Sequence, residues 1–189
     1  RGAVKYGVGG LHWQIVGIED AFHGLMESPR RLQDLTMKTS QGLIHRGGTI
    51  LGTSNRADPF AWPDGKGGTI DRSAELADAI RDEGLEGLIC IGGDGSQHLS
   101  LRLMQEHGIP VVGVPKTIDN DLSATDFTFG FWSAVGVATE AIDRLHTTAE
   151  SHDRVMLLEV MGRTAGWIAL YAGVAGGADV IVLPEIDYD

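Results

Sequence analysis

Four short apolar runs punctuate the chain: Leu88 to Ile91, Val111 to Val114, Val155 to Leu158 and Val180 to Leu183. None alternates apolar with polar residues, the pattern of a strand covered on both faces in a parallel sheet. Between the runs the spacing becomes helical. Ser73 to Glu83 sets Leu76, Ala77 and Ile80 on one side and stops at Gly84, while Val135, Ala138, Ile142 and Leu145 line one face of a longer helix. An earlier strand, Gln14 to Ile18, is expected to join the same sheet, and the Gly- and Pro-rich stretch from Asn55 to Gly68 reads as an exposed loop. Strands alternating with helices predict an α/β fold: a doubly wound, mostly parallel, Rossmann-like sheet in three layers, with the start of a second similar α/β domain. Loop chemistry gives way to the long helix near Gly130, which divides the chain into residues 1–130 and 131–189.

Composition narrows the function. With 189 residues, 42% of them hydrophobic and 22% charged, the chain can bury a sizeable core. Its net charge of −11 argues against a nucleic-acid or anionic-membrane partner, since either needs clustered Lys and Arg. A phosphorylated small molecule needs only a few local cations. The single cysteine, Cys90, has no internal disulfide partner and sits in an apolar run, as a buried small hydrophobe in a reducing compartment would; a cytoplasmic protein is expected. No apolar stretch approaches the ~20 residues of a membrane helix, and no charged-then-apolar leader opens the chain. It begins at Arg1 in what reads as mid-helix, so the native start is expected upstream.

In a doubly wound sheet, ligands bind beyond the carboxyl ends of the strands. After the first run come Gly92-Gly93-Asp94-Gly95-Ser96 and a helix with Leu99 and Leu103 on its buried side. Glycines let backbone approach a phosphate, the helix start offers free N–H groups, and Asp94 could hold Mg²⁺. The same residues also read as a turn with Asp94 or Ser96 capping the helix. After the second run, Pro115-Lys116-Thr117-Ile118-Asp119-Asn120-Asp121 gathers two carboxylates, a hydroxyl, an amide and an amine, with Asp119 placed to take a proton from a substrate hydroxyl. Carboxylates this close repel, so Lys116 or Mg²⁺ is expected to offset them. After the third run, Glu159-Val160-Met161-Gly162-Arg163 leads into a helix; Arg163 at its start suits a phosphate clamp or, more plainly, a surface pair with Glu159. Arg154, after Ser151-His152-Asp153, stands at the opposite end of its expected strand, suited to work outside this subunit's own cleft.

These motifs resemble, in order, those of the 6-phosphofructokinases, from Gly17-Ile18-Glu19-Asp20-Ala21-Phe22-His23-Gly24-Leu25 through Arg46-Gly47-Gly48-Thr49-Ile50-Leu51-Gly52-Thr53-Ser54, Gly92 to Ser96, Pro115 to Asp121, Ala141 to Leu145 and Glu159 to Arg163, to Pro184-Glu185. The resemblance implies Mg²⁺-dependent transfer of phosphate from ATP to the 1-hydroxyl of fructose 6-phosphate, in line and without a covalent intermediate. Asp119 matches the general base and Asp94 the Mg²⁺-associated carboxylate. Thr117 and Arg163 match groups that stabilise the transferring phosphoryl. Asp121 matches a carboxylate near the sugar and metal, Met161 and Gly162 part of the sugar pocket, and Arg154 an arginine that reaches the neighbouring subunit's sugar phosphate. Gly93, Gly95 and Ser96 match the nucleotide-phosphate loop, with Phe22 near the adenine. The first domain would then hold the nucleotide phosphates and the second the sugar phosphate, in a homo-oligomer, dimer or tetramer.

Two positions bear on the donor. Gly95 leaves room for a nucleotide's α-phosphate where pyrophosphate-using members tend to carry Asp, whereas Lys116 is typical of pyrophosphate users; the steric argument favours ATP. The family's first glycine-rich loop would lie upstream of Arg1, and its later His and Arg residues downstream of Asp189. The family arginine expected after Leu51-Gly52-Thr53-Ser54 is replaced by Asn55, with Arg56 one place later as its substitute. Arg46 and Glu185 match effector positions, but His146 stands where an arginine is expected. A noncatalytic phosphate-binding relative is the contrasting hypothesis; such a protein would be expected to lose Asp94 or Asp119, and both are present.

Overall fold

The computed structural model describes residues 1–188. In chain order, α1 (Gly2–Gly10) leads to β1 (Ile15–Ile18), α2 (His23–Met26) and β2 (Leu32–Leu35). A 3-10 turn at Leu43–His45 precedes β3 (Trp62–Pro63), β4 (Thr69–Ile70) and α3 (Ser73–Asp82). The remainder runs β5 (Leu88–Gly92), α4 (Asp94–His107), β6 (Val111–Thr117), β7 (Phe129–Gly130), α5 (Phe131–His152) and α6 (Trp167–Gly176). The chain forms two compact units: Arg1–Leu88 with Leu103–Pro110, and Ile89–Arg102 with Val111–Asp189.

In the first unit, α3 buries Leu76, Ala77 and Ile80, the stripe its spacing predicts. β1 does not join the main sheet as expected. It pairs antiparallel with β2, with Ile15 opposite Leu35 and Ile18 opposite Leu32, because that neighbouring segment satisfies its backbone groups locally. The stretch from Asn55 to Gly68 is only partly a free loop. Ala57 and Pro59 are buried, and Trp62–Pro63 pairs with Thr69–Ile70 around a turn in which the Asp64 carboxylate accepts from the Lys66 and Gly68 N–H groups.

The second unit carries a sheet of order β5-β6-β7, in which β6 and β7 run parallel with Lys116 opposite Phe129 and Thr117 opposite Gly130. Helices flank it, so the predicted α/β class holds. The core forms where α5 meets α6: Phe131, Val135, Ala138, Ile168 and Ala172 are buried together, with Ile118, Ile142 and Val160 packed against them. Close approach depends on Gly176, where a Cβ would come within 2.9 Å of Ile142.

Three expectations about the strands need correction. β5 and β6 are not covered on both faces, since Ile89, Ile91 and Val112 are exposed among the described residues. Cys90 is half-buried, its thiol 3.8 Å from the Ser96 carbonyl, rather than sealed in a core. Residues 155–158 and 180–183 are not strands, and Val155 and Val180 are 98% and 78% exposed. An apolar run becomes a strand only when a neighbour completes its hydrogen-bond ladder, and the described residues offer neither segment one. The second run still lays Ile181 and Leu183 against the glycines Gly173 and Gly166 of the α6 region.

Candidate functional site

The tips of β5 and β6 are built from opposite materials: backbone at one, side chains at the other. β5 ends at Gly92 and α4 begins at Asp94, so Gly93 alone separates strand from helix; Asp94, Gly95 and Ser96 form the first helical turn rather than a loop. A Cβ on Gly92 would collide with the Ser96 hydroxyl, which explains the glycine there. A Cβ on Gly93 would stand 3.6 Å from the Thr117 Cβ and 3.8 Å from the Lys116 carbonyl oxygen, so the two tips are in contact. At Gly95 a Cβ would meet nothing within 4 Å. The first-turn N–H groups of α4 thus accompany an exposed Asp94 carboxylate and open space.

A residue that sequence reasoning missed ties these tips together. The Gln97 side-chain amide, one turn into α4, donates to the carbonyls of Gly92 (3.0 Å) and Val114 (3.1 Å) and lies 3.4 Å from that of Cys90. It satisfies backbone acceptors of both strands. A glutamine in a helix gives no such signal by type, although Gly113 does: a Cβ there would overlap the Gln97 side-chain oxygen.

At the β6 tip the chain turns sharply. Asp119 N–H donates to the Thr117 hydroxyl oxygen (3.1 Å), which leaves the Thr117 proton free to serve another acceptor. Ile118 packs into the core, holding the residues on either side of it. The Asp119 oxygen Oδ1 is buried and has no hydrogen-bond partner among the described residues. A buried carboxylate oxygen without a donor is costly, and such an atom beside a cluster of polar groups marks a place for a proton, a cation or a ligand hydroxyl. Lys116 and Asp121 are exposed on either side.

Val160 packs on the same core as Ile118, so Met161 and Asp119 each follow a residue anchored in one cluster. Gly162 adopts φ +117, and a Cβ there would strike the Ala165 carbonyl oxygen, so this turn requires glycine. Arg163 lies in the turn four residues before α6 begins, not at the helix start as expected; it is exposed and, among the described residues, has no ion pair, with Glu159 or otherwise. The α6 start is instead served by Glu185, whose carboxylate accepts from the Gly166 N–H at 2.8 Å. Arg154 follows the left-handed Asp153 that ends α5 and, with no strand after it, lines an open depression with His146, Glu150 and Asp179. The His146 ring is engaged with the Gly176 carbonyl at 2.7 Å.

Phe22 and Arg56 belong to the first unit. Phe22 is half-buried just ahead of α2, and Arg56 is exposed with its N–H donating to the Ser54 hydroxyl. Asp94, exposed in the first turn of α4, is the carboxylate that would hold a Mg²⁺ ion, without a preformed cage: no group of three or more acidic, His or Cys residues is gathered for a metal among the described residues. A single carboxylate suits an ion completed by waters and substrate phosphates. No helix among the described residues is long and apolar enough to cross a membrane.

A parallel sheet flanked by helices, with glycine backbone and carboxylates at touching strand tips, defines a Rossmann-like α/β protein. Comparison with known proteins refines that class. The chain belongs to the phosphofructokinase family, matching it over residues 1–189. It is 50% identical over 188 residues to ATP-dependent 6-phosphofructokinase 1 of Synechocystis sp., covering 100% of this chain and 52% of that protein. It is 51% identical over 189 residues to pyrophosphate--fructose 6-phosphate 1-phosphotransferase of Streptomyces coelicolor, with coverage of 100% and 52%. Among solved structures, Pichia pastoris phosphofructokinase in the T-state superposes with a TM-score of 0.81 at 28% identity, covering 94% of this chain and 20% of that one. The chain therefore spans about half the length of the curated relatives it matches.

Proposed function

We propose that the polypeptide carrying this chain is a kinase of glycolysis that phosphorylates fructose 6-phosphate at its 1-hydroxyl, with ATP as donor, giving fructose 1,6-bisphosphate. The observation that carries this reading is the buried, unpartnered Asp119 oxygen at a strand tip in contact with the glycine backbone of the next. A sugar hydroxyl donating to that oxygen would complete its hydrogen bonding and hand over its proton as the new oxygen–phosphorus bond forms and the bond to the donor's bridging oxygen breaks.

The residues divide the remaining work. Thr117 and Arg163, the first with its hydroxyl proton uncommitted and the second without an ion pair among the described residues, would donate to the phosphoryl oxygens in transit. Gly93, Gly95 and Ser96 would present backbone N–H groups to the donor phosphates. Asp121, Met161 and Gly162 would line the sugar pocket, and Arg154 would reach a neighbouring subunit's substrate in a homo-oligomer, dimer or tetramer. Asp94 would hold Mg²⁺, which when bound offsets the negative charge of the phosphates. On this reading residues 1–130 form the nucleotide-phosphate portion, residues 131–189 begin the sugar-phosphate portion, and the enzyme works in the cytoplasm.

The open space at Gly95 supports ATP, because a bulkier donor fits there without a clash. Pyrophosphate is the second reading, favoured by Lys116 and by the Streptomyces relative's named activity. The test is phosphorylation of fructose 6-phosphate by the full-length polypeptide, with each donor in turn and with Asp119→Asn as control. Turnover with ATP that falls about 10²–10⁴-fold in the variant is expected. Turnover with pyrophosphate alone would replace the donor, and an undiminished variant would remove Asp119 from the mechanism.

A further inference from the structure

Among the described residues no donor grips Oδ1 of Asp119, so something other than a hydrogen bond to that oxygen aims the carboxylate. Orientation then comes from the backbone on its two sides, and one buried residue holds both. Thr128, 4% exposed, donates its hydroxyl to the Thr117 carbonyl at 2.8 Å and its backbone N–H to the Asn120 side-chain oxygen at 2.9 Å. Thr117 and Asn120 flank Asp119 with one residue between on one side and none on the other. Asn120 sits at φ +53, a left-handed conformation that asparagine tolerates better than most residues, and its amide approaches the Asp126 carbonyl at 3.5 Å. The loop from Ile118 to Phe127 is thereby pinned at its base, through residues on both sides of Asp119.

We infer that Thr128 is a positioning residue for Asp119, acting through Thr117 and Asn120. The inference rests on the reading of Asp119 as the proton acceptor and adds to it the device that sets its geometry. Thr128 touches no reacting group. Its hydroxyl and N–H hold the backbone on both sides of Asp119 and leave Oδ1 open to a ligand.

Steady-state kinetics of the full-length polypeptide test this, with rates normalised to folded protein. Thr128→Val keeps the shape and removes the donor, Thr128→Ser restores it, and Asn120→Gly keeps the left-handed backbone while deleting the acceptor. We expect kcat to fall about tenfold to 10²-fold in Thr128→Val and Asn120→Gly, with the fructose 6-phosphate KM changed less than kcat, and to stay within about twofold of the parent in Thr128→Ser. The acid limb of the kcat–pH profile should move in the two impaired variants, which a loss of folded protein alone would not cause. If Thr128→Val does not fold, Asn120→Gly against the parent decides. Parental kcat and pH profile in Asn120→Gly, or equal impairment in Thr128→Ser and Thr128→Val, would overturn the positioning role. Asp119→Asn separates the two ideas: if it abolishes turnover while the Thr128 variants are normal, only the brace fails, and if it is active, the reading beneath the brace fails.

Discussion

Gly93 faces Thr117 across the gap between two strand tips, with space for one methyl group and no more: a Cβ on the glycine would lie 3.6 Å from the threonine Cβ. That separation is ordinary contact, so Gly93→Ala should fold normally. A branched side chain carries further atoms beyond the Cβ and must push against Thr117 or Lys116. Gly93→Val is therefore expected to lower kcat/KM for the phosphoryl donor by about tenfold or more, displacing Thr117 by a fraction of an ångström. Donor-saturation kinetics of the two variants against the parent check this.

Donor choice can be moved at Gly95. Because a Cβ there meets nothing within 4 Å, Gly95→Asp needs no rearrangement of the protein and places a carboxylate in the open space beside the first turn of α4. Repulsion of an added phosphate should raise the ATP KM, about tenfold for each ~1.4 kcal/mol of lost binding, while leaving the response to pyrophosphate much less altered. Parallel assays with the two donors read the ratio.

Much of this site is legible in the sequence. Thr117 and Asp119 announce themselves by type and by following an apolar run, and α3 and α5 by a 3.6-residue stripe that does not depend on distant parts of the chain. Strand formation does depend on them. Leu157 and Val182 sit in runs as apolar as β5, yet remain unpaired because a ladder needs a neighbour. Gln97 and Thr128 were illegible for another reason: their work consists of side-chain bonds to backbone carbonyls, and backbone acceptors leave no trace in residue type.

Gly113 offers a way to test the Gln97 tie without touching the glutamine. A Cβ at position 113 would occupy the space of the Gln97 side-chain oxygen, whose flexible end can swing away. The clash itself is then mild, but the bonds to Gly92 and Val114 are lost and their carbonyls go unpaired. Gly113→Ala is expected to cost about 1–3 kcal/mol by urea unfolding and to speed amide exchange at the tips of β5 and β6.

Phe131 anchors the cluster against which Ile118, the residue before Asp119, packs. It is fully buried at the start of α5, stacks near Phe127 (6.2 Å between centroids) and meets Tyr171 edge-on at 5.4 Å. Ile118 packs against the same cluster, so a void there loosens the residue next to the carboxylate. Phe131→Ala should destabilise by about 3–5 kcal/mol in a denaturant titration.

Acid stability has a distinct contributor in the first unit. Glu75, in the opening turn of α3, accepts two hydrogen bonds from the Arg72 guanidinium at 2.9 and 2.6 Å, and these hold its pKa below the ordinary glutamate range. A carboxyl whose folded pKa is depressed stabilises the fold above its unfolded pKa and loses that contribution as pH falls through the folded value. Both groups reach solvent, so salt should weaken the effect. Thermal midpoints of the parent and Glu75→Gln should therefore differ by a small, constant amount at neutral pH. The gap should close only at pH values below those where a free glutamate titrates, and should narrow in high salt at neutral pH. A gap that persists unchanged into strong acid would show that Glu75 acts through packing rather than through its charge.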